Sequence, residues 1–185
     1  MSLFRGLMIA VLSLGMFQVV HAEDAPPASQ QAKTQPVDFR KLKELMPEKL
    51  ADLKRSKNDG QKTAIGDFVI SQATGTFGPE EPKETDPTIT VEITDYSANT
   101  GMAELMAAWQ NIQMDNEGDS GFERTTRIAD QPAHEQYQNE GKSGQIQVFV
   151  AKKYLVNVTT TNLSADQVKK LGESLPIKKL AELKS

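Results

Sequence analysis

Between Gly144 and Thr161 the chain alternates apolar and polar residues twice over, around one short corner. Ile146, Val148 and Val150 fall on one side of an extended backbone, and Gln145, Gln147 and Phe149 on the other. After Lys152-Lys153, Tyr154, Val156 and Val158 repeat the apolar set, with Asn157 and Thr159 opposite. A period of two, rich in β-branched residues, specifies a half-buried antiparallel pair and not a helix face. The hairpin is therefore expected at the centre of a sheet, with helices covering its apolar side.

The rest of the chain supplies the other layers. Thr88 to Asp95 alternates in the same way, with Ile89, Val91 and Ile93 against Thr90, Glu92 and Thr94. Thr63 to Phe77 is strand-like, with Gly66 and Gly75 as possible bulge sites. Phe122–Ile128 and Ala133–Gln138 look like two more polar strands around Ala129-Asp130-Gln131-Pro132. Helical spacing recurs over 37–54, 101–114 and 164–175. Asp38 is placed to cap the first of these helices, and Pro47 to break it. Met102, Leu105, Met106, Trp109 and Ile112 form the apolar stripe of the second. Ser164 and Gln167 give the third a capping box, Leu163 and Val168 a hydrophobic staple, and Pro176 a stop. The polar stretches 55–61 and 115–121 read as turns, and 78–87 as an exposed acidic loop. The expected fold class is α+β: a mostly antiparallel sheet of about six strands with helices 101–114 and 164–175 packed on it.

The start of the chain has a different character. Arg5, an apolar run to about Val20, and small residues at Val20 and Ala22 make a secretory signal peptide over 1–22. Residues 23–36, rich in Pro, Ala and Gln, read as a disordered tether, leaving 37–185 as one domain. With 0 Cys, neither disulfides nor thioether lipidation are available. Without residues 1–22, 20 basic face 25 acidic residues, a net charge of −5. That balance argues against nucleic acid or anionic lipid as main partner. The expected address is periplasmic or secreted, with no membrane span after cleavage.

The side chains available for chemistry are few. Beyond the leader the one histidine is His134, and no His-x-x-x-His or Glu-x-x-His spacing accompanies it. No metal or cofactor is expected. Glu80, Glu81, Glu84 and Asp86 lack the alternation and mid-loop Gly of a calcium loop. Gly-Asp-Ser-Gly at 118–121 copies a serine-protease string, but His134 follows Ser120 in the chain, so Ser120 reads as a turn residue. Glycine-rich phosphate loops are absent. A hydrolase using carboxylates would need two Asp or Glu to converge in a cleft, which one sequence does not display.

Two candidate binding sets remain. If 122–128 pairs with 133–138, alternation groups Glu123, Thr125 and Arg127 on one face and Ala133, Glu135 and Tyr137 on the partner's. An Arg127–Glu135 cross-strand pair beside Tyr137 would make an anion- or peptide-binding patch. Tyr96 and Trp109 would line a pocket where the helix meets the sheet, although Trp109 at its helical spacing also suits the core.

Leu45-Met46-Pro47-Glu48-Lys49-Leu50, Phe122-Glu123-Arg124-Thr125, Ala133-His134-Glu135-Gln136-Tyr137 and the final hairpin and helix resemble a group of exported bacterial proteins of unknown function. The element order is similar to the PsbP/Mog1-like fold. That resemblance implies an accessory or adaptor role and transfers no site residue. The expectation is a non-catalytic binding or accessory domain of the bacterial envelope, acting on an envelope protein. The alternative is a carrier of a small apolar ligand, held between helix 101–114 and the sheet.

Overall fold

In the computed structural model the described residues are 34–109 and 112–183. The expected leader, and the tether as far as residue 33, lie outside them. Pro36, assigned to the tether by composition, is buried together with Val37.

The chain forms α1 (Phe39–Glu44), β1 (Lys49–Leu50), β2 (Leu53–Ile65), β3 (Phe68–Phe77), β4 (Thr88–Asp95), α2 (Thr100–Trp109), β5 (Asp115–Gly118), β6 (Gly121–Ile128), β7 (Gln131–Gln138), β8 (Ser143–Val150), β9 (Tyr154–Thr161), α3 (Ala165–Ser174) and α4 (Ile177–Glu182). Nine strands make one antiparallel sheet in the order β1-β2-β3-β4-β9-β8-β7-β6-β5. After β4 the chain crosses through α2 to the far edge. It then returns strand by strand until β9 closes against β4. The hairpin of β8 and β9 is central, as its alternation requires.

One face of the sheet is covered. Ile146, Val148, Val150, Tyr154, Val156 and Val158 meet Ile89, Val91 and Ile93 in one core. α1 packs on β2 and β3, α3 on β7 and β8, and α4 on β8. Leu42, Val168, Leu171, Ile177 and Leu180 are the side chains these helices bury. Each such burial contributes about 1.5–3 kcal/mol. α3 carries its expected cap: the Ser164 hydroxyl accepts from Gln167 N, and Gln167 Oε1 accepts from Ser164 N. The Asp38 carboxylate caps α1 by accepting from Arg40 N at 2.8 Å. That hydrogen bond and the Arg40 guanidinium hold its pKa below the usual 3.8.

Four expectations are corrected. The sheet has nine strands, not six, because three further segments are extended: 49–50, which with 53–54 lay in the stretch of expected helical spacing, 55–61 and 115–118. Asp59-Gly60 does not turn: Gly60 lies inside β2, where a Cβ would come within 2.6 Å of the Phe39 ring, so glycine serves helix–sheet contact. The turn falls instead at Gly66-Asp67, between Ile65 and Phe68, and the irregularity in β2 lies at Arg55/Lys57. The second helix spans Thr100–Trp109, and two residues expected in its buried stripe region, Leu105 and Ile112, are 61% and 44% exposed. The covered face is already occupied by α1, α3 and α4, which leaves those two side chains no core to enter.

Candidate functional site

The face opposite this core is built by the other half of each alternation. Cross-strand register aligns Thr125, His134, Gln147, Asn157, Glu92, Thr74 and Asp59 in one row across seven strands, β6-β7-β8-β9-β4-β3-β2. A second row sets Phe149 opposite Leu155 and Leu155 opposite Thr94. Phe149 is buried yet stands apart from the main core.

A cavity of about 760 Å3 sits over the β6–β9 end of this face. Its floor changes character within one row: Pro132, Phe149 and Leu155 are apolar, whereas Thr125, His134 and Gln147 are polar. Ile112, Gln113 and Met114 form the opposite wall. Met114 is pinned to β6, since Thr125 N donates to its carbonyl at 2.8 Å and the Thr125 hydroxyl accepts from its N–H at 2.9 Å. At the other end of α2, the Asn99 amide clasps the Val69 backbone at 2.6 and 3.2 Å.

His134 Nε2 lies 3.1 Å from Glu123 Oε1, and the imidazole is largely enclosed. Arg127 also lines the cavity, its guanidinium donating to the Asp130 carbonyl. The Thr125 hydroxyl faces His134 but spends its hydrogen bonds on Met114, so it is not set up as a nucleophile. The Gln147 amide makes no hydrogen bond among the described residues. The arrangement can hold an apolar body against Phe149 and Leu155 and hydrogen-bond a polar head at Gln147 and Glu123. Among the described residues no three His, Asp or Glu gather as metal ligands.

The patch combining Arg127, Glu135 and Tyr137 does not form. Ala129 and Asp130 alone make the turn, both at positive φ, so Ile128 pairs with Gln131 and Arg127 with Pro132. Arg127 therefore faces the cavity, while Glu135 and Tyr137 face the covered side. Glu135 is 3% exposed and meets Arg124, whose Nε and Nη2 donate to Oε2 at 2.8 and 2.6 Å. The Tyr137 ring stacks on Phe122 at 5.9 Å, and its hydroxyl donates to the Leu163 carbonyl at 2.9 Å. Arg124 and Lys169 lie over the same Phe122 ring. These contacts hold β6, β7 and α3 together.

Tyr96 is half-buried at the end of β4 and does not line the cavity. Burial first, then the Glu92 carboxylate, raise its phenol above the usual 10.0, against a lowering hydrogen bond with Thr94. The side chain of Trp109 lies outside the described residues. The sequence reading grouped Glu123 and His134 with Arg124, Arg127, Glu135 and Tyr137 in one polar strand cluster, but it missed their pairing in the cavity and missed Gln147. Alternation already put Gln147 and Phe149 opposite the core set; the missing information was the register that brings β6 and β7 beside them. No family model, curated protein or solved structure matches this chain.

Proposed function

We propose that this chain is a non-catalytic binding module of the bacterial envelope, and that its site is the cavity between residues 112–114 and the sheet face opposite the core. The observation that carries this is a buried aromatic outside the core, Phe149, placed beside Gln147, whose amide has no hydrogen bond among the described residues, at the floor of a ligand-sized concavity. The ligand is small and amphiphilic. Its apolar part meets Pro132, Phe149 and Leu155, and its polar head meets Gln147 and the Glu123–His134 pair. The small-ligand alternative is thereby preferred to a purely protein-docking role, with the wall supplied by residues 112–114 and not by the whole helix. Export through residues 1–22 and a PsbP/Mog1-like variant of the α+β sheet belong to the same proposal. An N-terminus of Met1 on the exported protein would contradict cleavage after Ala22.

Thermal-shift screening against fatty acids, aromatic acids and hydrophobic amines tests the site. A ligand present at about 100 times its Kd stabilises by about 2.7 kcal/mol. Hits should vanish in Phe149→Arg, and in the milder Gln147→Leu should weaken for ligands with a polar head. Hits that survive both substitutions would place binding elsewhere.

A further inference from the structure

We infer that the cavity takes a short peptide of three or four residues with free termini, its amine at Glu123 and its carboxylate at Arg127. The inference rests on the binding-module reading and names the ligand class of that same site. Glu123, Thr125 and Arg127 share one face of β6, and all three line the cavity. Four residues along a strand place Glu123 and Arg127 about 13 Å apart on that wall, with Thr125 midway. Asp115 adds a second carboxylate toward the Glu123 end: Met114 bonds to Thr125 and Asp115 pairs with Arg124, so the chain advances from there toward Glu123. His134 Nε2 lies 3.1 Å from Glu123 Oε1, one of the two oxygens of that carboxylate. The exposed Arg127 gives the Asp130 carbonyl one of the five N–H donors a guanidinium carries. The wall is thus acidic at one end and basic at the other.

Cross-strand register divides the floor along the same axis. Thr125, His134 and Gln147 form the middle row. Arg127 is opposite Pro132, and one step beyond the Ala133–Val148 pair Pro132 comes beside Phe149, which is opposite Leu155. The apolar strip therefore lies at the Arg127 end. An amphiphile with a single charged head would match one end of this wall and leave the other unmatched. An extended peptide of four residues spans about 13–14 Å and carries an ammonium and a carboxylate at its two ends. Glu123 and Asp115 accept from the ammonium, and the Arg127 fork meets the carboxylate. The Gln147 amide both donates and accepts, which complements a peptide bond at the middle row. The last two side chains, if apolar, meet Pro132, Phe149 and Leu155, with Ile112 and Met114 opposite.

Calorimetric titration of the protein with the tetrapeptide Ala-Ala-Leu-Phe tests this, beside its N-acetylated form, its C-amidated form and the reversed sequence Phe-Leu-Ala-Ala. The free peptide should bind, and each blocked form should bind about tenfold weaker or worse, the loss of one charge-assisted hydrogen-bonded end. The reversed sequence, which sets its apolar residues at the polar end, should also bind more weakly. Arg127→Gln should abolish the difference between free and amidated peptide and keep the difference between free and acetylated peptide. Glu123→Gln should do the reverse. Arg127→Lys, which keeps the charge, should retain the preference for a free carboxylate. Equal affinity for free and blocked peptides, or binding unchanged in Phe149→Arg, would overturn the inference. Failure of every peptide while the amphiphiles of the thermal screen still bind would overturn the peptide and leave the cavity standing. Failure of both peptides and amphiphiles would overturn the binding-module reading as well.

Discussion

At the scale of single residues, buried polar groups carry the sharpest consequences. Asp95 is fully buried and accepts from Val37 N and Ser97 N, both at 2.8 Å, tying the segment ahead of α1 to the end of β4. Asp95→Ala leaves those donors unpaired and should cost about 1–3 kcal/mol in denaturant unfolding. The Arg124–Glu135 pair is asymmetric, with Glu135 enclosed and Arg124 35% exposed. Removing Arg124 alone strands a buried carboxylate, so Arg124→Ala should destabilise by about 2–3 kcal/mol, and Arg124→Met with Glu135→Leu should recover most of it. Equal losses in the single and double variants would refute the pairing. Tyr96 gives a pH signature. Its folded pKa is raised, so its contribution is complete below the unfolded value near 10.0 and is lost as pH rises through the folded pKa. Tyr96→Phe should remove that alkaline loss, and Glu92→Gln should lower the tyrosinate midpoint measured by ultraviolet absorbance.

Elements show why some of this was legible and some was not. Strands whose two faces differ strongly in polarity, such as β4, β8 and β9, were readable because only one register buries their apolar set. Capping chemistry exposed α1 and α3 for the same reason: Asp38, and Ser164 with Gln167, have no better use than the orphan N–H groups of a helix start. The β6–β7 pair was misread because its turn lacks glycine. Ala129-Asp130 occupies the left-handed region where Asn-Gly is favoured, and Pro132 lies in the strand. A register error there moved Glu135 and Tyr137 to the wrong side of the sheet and hid the cavity. Ala129→Asn with Asp130→Gly should therefore stabilise the protein by about 0.5–1 kcal/mol in thermal unfolding. Gly121, at φ 142, tolerates no such exchange: a Cβ there would sit 1.9 Å from the Tyr137 carbonyl oxygen, so Gly121→Ala should break the β6–β7 ladder. A fully stable Gly121→Ala would contradict the register.

On the scale of the whole molecule, an asymmetry between the sheet's two faces links fold to function. α1, α3 and α4 fill one face with a continuous core. The other face carries amides, hydroxyls and one buried aromatic beneath residues 112–114. Its polarity was visible in the sequence as the wet half of each alternation. The concavity was not, because it depends on how the connection from α2 is pinned to Thr125 across eleven residues of chain. Native mass spectrometry of the protein purified from the cells that make it tests the cavity most directly, with Phe149→Arg alongside. The expected spectrum shows an added small-molecule mass on the unsubstituted protein and none on Phe149→Arg. The same bound mass on both proteins, or none on either after purification without detergent or denaturant, would contradict a ligand held at Phe149.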